Sequence, residues 1–421
     1  MISNQQQAAY LDRKTGALVF LAFAAAYFCS ALVRSITATL SPVLTQDFSL
    51  QARDLGLLGG GYFLGFAAMQ LPLGTWLDRY GPKRVILCFL SLAVLGCLAF
   101  SVAIGFAWLM GSRVLIGMGV SACLMAPLTG YRRWFEAPTL LRANSWMLMT
   151  GSLGMLASTL PVQWLMPLTG WRPLFWILAA LILLAMVAIA FVVPTWKVSP
   201  LRAAAAGVFG QSASGADSYA LVWRNRYFQK MSPLAFFNYG GLVAVQTLWA
   251  GPWMVKVAGY TPLESATGLF YINACMLVTF WGWGMLNPWL AQRGWSASRL
   301  IGCGVPVSLL VLAVNIALGA STGWLGWALY CISSSVMGLA QPAVGMAFGA
   351  SLAGRALSGY NLVIFSGVFT VQWGIGLLVD AFATLGLAQV ASFQAAMGLF
   401  LFCCIAAYGY FLGVKVDNPL Q

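Results

Sequence analysis

The 421-residue chain contains no histidine. That absence removes every mechanism built on imidazole: a Ser-His-Asp triad, a His-held metal ion or a His proton relay. Acids are almost as scarce, with nine Asp and Glu in total, and charged residues make up 7% of the sequence where a soluble domain carries about 25%. So few charges cannot cover a water-facing surface on a chain this long. Apolar residues reach 61%, so the principal solvent is lipid. The nine cysteines show no C-x-x-C spacing of a zinc or redox centre, and inside apolar runs a thiol behaves as a small hydrophobe. Seventeen methionines are present without a regular M-x-x-x-M pair; with no His and no acid inside an apolar run, a divalent-metal site is not expected. No cofactor is expected either.

What is abundant is apolar sequence in long runs. A bilayer core of about 30 Å needs roughly 20 apolar residues per helix, and twelve such runs can be drawn. They cover 17–45, 54–77, 84–104, 107–130, 143–166 and 173–194, then 232–256, 265–290, 299–319, 323–350, 357–380 and 390–413. The expected fold is therefore an all-α membrane protein. Its domains are an N-terminal six-helix bundle (1–194), a polar central linker (195–231) and a C-terminal six-helix bundle (232–421). The first 16 residues are polar and lack a short apolar region with a cleavage site, so they read as a cytoplasmic tail and not a removable signal.

Twelve crossings place both ends on one side, and Lys and Arg are retained in the cytoplasm. With the ends inside, 17 of the 22 cations fall in cytoplasmic segments and three, Arg53, Arg172 and Lys256, in the opposite loops. The remaining two, Arg34 and Arg113, lie within or near spans. This distribution accounts for the net charge of +13 without any nucleic-acid partner.

The halves read as a duplication. Arg142-Ala-Asn-Ser145 and Arg355-Ala-Leu-Ser358 each open a span, 213 residues apart, and Gly81 and Gly294 occupy turns at the same separation. Val162-Gln163-Trp164 is echoed by Val371-Gln372-Trp373, displaced from that register by four residues, about one helical turn. Six spans per half with these echoes fit two parallel repeats facing one another around a site near the bilayer midplane.

Between the second and third spans stands Gly74-Thr-Trp-Leu-Asp78-Arg79-Tyr-Gly81-Pro-Lys83-Arg84. It resembles the G-x-x-x-D-R-x-G-x-[RK]-[RK] loop of the major facilitator superfamily, in its bacterial form. Arg113-Val-Leu-Ile-Gly117-Met-Gly119 is similar to that family's R-x-x-x-G-x-G pattern, and Gly170-Trp171-Arg172-Pro-Leu-Phe175 to its G-W-R-x-x-F. The second-half loop departs from the pattern: Ala291 and Gln292 stand where Asp78 and Arg79 stand in the first. The resemblance implies two pseudo-symmetric six-helix bundles, and a latch formed by Gly74, Asp78, Arg79, Gly81, Lys83 and Arg84 that holds the bundles in the outward-facing state. Read physically, Gly74 permits close helix approach, Gly81 a turn with positive φ, and Asp78 an acceptor for arginine or for helix-start amides.

An ionisable group inside a span is a functional candidate because its burial is costly without water or a partner. Arg34 lies deep in the first span, and Tyr27 and Ser30, seven and four residues earlier, share its helical face. Its forked donors suit a carboxylate or phosphate; the alternative is a structural charge bonded to carbonyls or to an acid such as Asp47. A Tyr followed by an Arg in this span also resembles organic-anion members of the superfamily. Arg113, with Gly117, has either a gating or proton-coupling role, which the resemblance implies, or an anchoring one against Asp47 or Asp54. Asn238, Tyr239 and Gln246 in the seventh span form an uncharged polar stripe, with Asn361 and Gln372 in the eleventh and Gln163 and Trp164 in the fifth as further candidates to complete a cavity.

The leading function is thus alternating-access transport of a small organic anion by a monomer in a bacterial inner membrane, both termini cytoplasmic. A proton or a counter-substrate is the coupling partner if there is one, since no acid lies in mid-span. Drug or metabolite efflux is the alternative within transport, although the fifth span lacks the adjacent Gly-Pro usual in drug antiporters. A non-transporting receptor on the same scaffold is the alternative from another class. No enzyme is expected, because no nucleophile–base pair is visible.

Overall fold

The computed structural model describes residues 10–195 and 215–414. Among these residues every regular element is a helix, as hydrocarbon demands of a chain that must satisfy its own backbone. Among the described residues eight helices are long and apolar enough to cross a membrane: Arg13–Phe48, Gln70–Ser101, Phe106–Trp134, Trp171–Val192, Pro262–Gln292, Ala297–Ser321, Leu352–Thr384 and Gln389–Gly413. Asp12 starts the first of them, its carboxylate accepting from the amides of Lys14 and Thr15 at 3.2 Å each.

The other four crossings are assembled from shorter pieces. Gly81, at φ 79° and ψ 163°, breaks Gln70–Ser101; the part before it continues Ala52–Ala68 into the second crossing, and the part after it is the third. The fifth joins Ala137–Ala157 to Leu160–Thr169. The seventh runs from Arg226–Pro233 to Ala250–Lys256 and contains two π-helical turns, Leu234–Tyr239 and Val245–Trp249. The tenth passes from Trp324–Ser334 through a 3-10 turn, Ser335–Leu339, into Ala340–Met346. Gly294, at the turn after the eighth crossing, has φ 78°, matching Gly81 in the other half.

Of the polar central stretch, residues 196–214 lie outside the described part, as do Lys197, Arg202 and Lys415. Its remainder is helical: Gly215–Arg224 is followed by Asn225, whose side chain caps the seventh crossing through the amides of Tyr227 and Phe228. That crossing therefore begins at Arg226, ahead of the apolar run, because the cap and not the hydrophobicity decides where the helix starts.

Crossings one to six form one bundle and seven to twelve the other. They meet chiefly where the second crossing lies along the eleventh, with further contacts of the fifth on the eighth and the first on the seventh. The second–eleventh junction is glycine-lined: a Cβ on Gly56 would lie 2.3 Å from the Gln372 carbonyl oxygen, and one on Gly376 2.3 Å from that of Ala52. Backbone approach of this kind packs helices when neighbouring lipid supplies no hydrophobic drive. The two bundles close at the face opposite the termini, hereafter the far face. Toward the terminal face, the main contacts of the later halves of the fourth and tenth crossings, among the described residues, are within their own bundles.

Candidate functional site

The first crossing carries Arg34 to the junction of the bundles. Its side chain is half-buried, and the guanidinium lies close enough to the Tyr62 and Tyr27 hydroxyls to interact with them electrostatically. Tyr239, on the first π turn of the seventh crossing, is near enough to feel its charge and approaches Tyr27 as well. Arg34 Nε and Ser30 Oγ are buried without a protein partner. Both are polar atoms whose hydrogen bonding is incomplete, and buried polar groups of that kind call for a water or a ligand. The structure thus brings Arg34, Tyr27, Ser30 and Tyr239 together and adds Tyr62.

Arg113 is almost wholly buried, 1% exposed. It donates to the Val33 carbonyl at 3.0 Å and to Thr37 Oγ1, both on the first crossing, and its guanidinium lies 5.5 Å from the Tyr62 ring centroid. Asp47 instead accepts from Trp171 Nε1 at 2.7 Å, and Asp54 from the Gln51 amide at 3.0 Å. Tyr62 therefore sits between two guanidinium groups. Its own backbone is pressed against the fourth crossing, where a Cβ on Gly117 would lie 1.9 Å from the Tyr62 carbonyl oxygen.

The remaining candidates are drawn into the C-terminal bundle's own networks. Asn238 donates to the Cys404 carbonyl at 3.4 Å, Gln246 to Asn273 Oδ1 at 3.0 Å, and Asn361 accepts from Gln341 at 2.7 Å. Gln372 donates to Thr247 Oγ1 at 3.0 Å, and its carbonyl accepts from Trp249 Nε1 at 3.0 Å; with Gly56 packed on that carbonyl it belongs to the closed junction of the bundles. Gln163 is half-buried, and Trp164 is 63% exposed, outside this cluster.

In the loop after the second crossing, Gly81 makes the positive-φ turn, Arg79 lies over the Tyr80 ring at 5.2 Å, and Asp78 and Arg84 are exposed while Lys83 is half-buried. A Cβ on Gly74 would meet only Ser358 Oγ, at 3.9 Å, so close approach does not require glycine there in this state.

Beyond Arg34, toward the far face, lies a separate cavity of about 560 Å³. Its lining includes Ser41 and Thr45 of the first crossing, Gln51, Ala52 and Leu55 of the second, Trp249 and Lys256 of the seventh, and Asp380 of the eleventh. Trp249, fully buried, lines this cavity and donates to the Gln372 carbonyl.

The helices, the turn at Gly81 and the buried arginines can be set beside known proteins. The family model described as Major Facilitator Superfamily matches residues 23–376. The chain belongs to this superfamily. It is an integral, multi-pass membrane protein with the superfamily's two pseudo-symmetric six-helix bundles. It is 25% identical over 291 residues to the 4-hydroxybenzoate transporter PcaK of Pseudomonas aeruginosa, covering 62% of this chain and 64% of that one. To the probable sulfoacetate transporter SauU of Cupriavidus necator it is 26% identical over 248 residues, 56% of each chain. A shorter stretch of 109 residues is 29% identical to the methyl viologen resistance protein SmvA of Salmonella typhimurium, covering 26% and 22%. The chain thus spans less than two thirds of the length of each of these relatives. Among solved structures, a bacterial homologue of the human lysosomal transporter Spinster, inward-facing and occupied, superposes with a TM-score of 0.76 at 16% identity, covering 96% and 97%. At that identity the likeness speaks for the fold.

Tyr62 and the π turns were not picked out from the sequence. Tyr62 follows Gly59-Gly60-Gly61 and carries no charge, so nothing marks it until Arg34 and Arg113 are placed on either side. The π turns coincide with Asn238-Tyr239 and Gln246-Thr247, flanking Gly240-Gly241. A polar pair beside a glycine pair in an apolar span is the available signal, and such widened turns recur at functional sites.

Proposed function

We propose that the protein transports a small organic anion, a carboxylate or sulfonate, by alternating access, and that Arg34 is the group that binds it. The observation carrying this reading is the charge of the interior: two guanidinium groups lie within the crossings, while none of the nine carboxylates falls in mid-span. An anion at Arg34 supplies the missing charge and the acceptors that its forked donors require. Tyr27, Tyr62 and Tyr239 give the pocket hydroxyls and ring faces suited to an aromatic or short acid. Arg113 is the structural partner in this reading, holding the first crossing to the fourth. The transport-protein relatives named for 4-hydroxybenzoate and sulfoacetate support an anion.

The terminal face is cytoplasmic in this proposal, on the strength of the cation distribution, and the far face extracellular. The state described is then open toward the cytoplasm, with the Asp78 loop apart from the closed junction. The transporting form is monomeric and lies in a bacterial inner membrane. With no acid among the residues gathered around Arg34, coupling falls to a counter-anion or to a proton carried on the substrate.

The test is uptake and exchange in proteoliposomes with radiolabelled 4-hydroxybenzoate and sulfoacetate, alongside a thermal-shift series that adds benzoate, glucose and methyl viologen. Anions are expected to stabilise the protein and to exchange, Arg34→Gln to abolish both effects, and Arg34→Lys to raise KM. Stabilisation by methyl viologen or glucose that persists in Arg34→Gln would overturn the anion reading and favour efflux of cations or neutral compounds. Tight binding of an anion without exchange would favour a receptor.

A further inference from the structure

The cavity at the far face contains one carboxylate, Asp380, at the end of the eleventh crossing. Its two oxygens are both engaged across the bundle boundary. Oδ1 accepts from the Ala52 amide at 3.1 Å and Oδ2 from the Arg53 amide at 2.8 Å, residues 328 and 327 positions away in sequence. Ala52 and Arg53 are the first two residues of the helix Ala52–Ala68, whose opening amides have no partner within the helix. The amide just before them, on Gln51, is taken by the helix's own Asp54. One bundle therefore supplies an acceptor for a helix start that belongs to the other.

We infer that Asp380 is a latch for the state closed at the far face, holding the two bundles together there through the amide end of the second crossing. This rests on the alternating-access reading, in which the far-face ends of the second and eleventh crossings part when that side opens. The contact is charge-assisted and aligned with the positive end of the helix dipole. Opening must break both hydrogen bonds and return the carboxylate to water. The charged neighbours on the packed elements are Arg53 and Asp54 of the second crossing and Lys256 of the seventh; the twelfth contributes the uncharged Gln389 and Ser392. Arg53 pairs with Asp54 at 3.8 Å, so neither residue displaces the Asp380 contact. The glycine junction just beneath, at Gly56 and Gly376, brings the two backbones close enough for the latch to engage.

The experiment reads conformation without a substrate, so its failure is separable from failure of the anion assignment. Ala38, 3% exposed, sits below the cavity with its carbonyl oxygen 3.0 Å from where a Cβ on Gly251 would lie. Ala38→Cys is labelled with a membrane-impermeant maleimide added from the far face of oriented vesicles, against the parent without the added cysteine. Asp380→Ala removes both acceptors and is expected to raise the labelling rate about 100-fold or more, the size of effect two hydrogen bonds to a charged group carry. Asp380→Asn keeps one acceptor and is expected to fall between. Asp54→Asn, which alters the helix's own cap, is expected to leave the rate nearer the parent's. Should Asp380→Ala not fold, Asp380→Asn and Asp380→Glu decide by the same reading. Equal labelling of Ala38→Cys with and without the Asp380 substitutions, or slower labelling with them, would overturn the latch.

Discussion

Replacing Gly56 with alanine is expected to shift the protein toward the state open at the far face. The added Cβ would sit 2.3 Å from the Gln372 carbonyl oxygen, 3.2 Å from its carbon and 3.2 Å from Trp249 Cζ2. A carbon–oxygen contact needs about 3.3 Å, so the second and eleventh crossings must separate by roughly 1 Å. Neither backbone can swing aside as a side chain would, and Trp249 is pinned by its own bond to the same carbonyl. Overpacking of this kind costs about 1–3 kcal/mol. It falls on the closed state, because the open state has already parted these helices. A coupling of that size changes the ratio of states about 5- to 150-fold, and the Ala38→Cys labelling rate should rise by a factor in that range. Gly74→Ala is the internal control, since its Cβ meets ordinary contact. A correctly folded Gly56→Ala protein labelled at the parent rate would refute the reasoning, as would equal acceleration by Gly74→Ala.

Four further outcomes follow from contacts already described. Arg113→Met should lower the melting temperature in detergent by removing two charge-assisted bonds to the first crossing, worth about 1.5–3 kcal/mol each; an unchanged melting temperature would show that those bonds contribute nothing net. Gly117→Ala should displace Tyr62, whose carbonyl lies 1.9 Å from the new Cβ. It should therefore weaken anion binding at Arg34 more than it weakens folding, as read by parallel titration and melting. Trp249→Phe leaves the Gln372 carbonyl buried without its donor and should cost about 1–3 kcal/mol, measured as lost thermal stability. At the terminal face, hydrogen bonds from Thr15 and Lys14 hold the Asp12 carboxyl below its ordinary 3.8. A depressed acid contributes stability above its unfolded value and loses it as pH falls through the folded one, so acidification below about pH 4 should destabilise wild type slightly more than Asp12→Ala.

The twelve crossings were legible because hydrocarbon thickness sets a length that few other constraints share, and the runs at 299–319 and 390–413 nearly coincide with the helices Ala297–Leu318 and Gln389–Gly413. The turns at Gly81 and Gly294 were legible for a similar reason: a positive φ favours one residue type. Arg34 and Arg113 stood out because charge inside lipid is rare. Their partners did not. Arg113 was weighed against Asp47 and Asp54 on the ground that a cation seeks an anion, yet it bonds to a carbonyl and a hydroxyl, since at that depth the nearest acceptors are those of the first crossing. Gln372 looked like a cavity residue from its polarity alone. Its role at the bundle junction depends on Gly56, 316 positions away, and no local pattern carries that pairing. Asp380 ends its span as an acid with no local motif around it, and what it holds is a helix start in the other half.

The second and eleventh crossings run antiparallel, and this explains how an acid at the end of one comes to serve the start of the other. Each helix begins beside the place where the other ends. The second starts at Ala52 against Asp380, and near its finish Gly74 lies opposite Ser358, early in Ala350–Thr384, with Asp78 one turn further on. An acid at a helix end gains nothing from its own dipole, whose negative pole is there. It gains from the positive pole of an antiparallel neighbour, and only while the two remain in register. Asp380 makes that exchange at the far face in the state described. Loss of that register partner in Asp380→Ala should therefore open Ala38→Cys to labelling from the far face, while Asp78→Ala, at the other end of the pair, should not raise that rate. Equal acceleration by the two substitutions would mean that both aspartates serve stability alone.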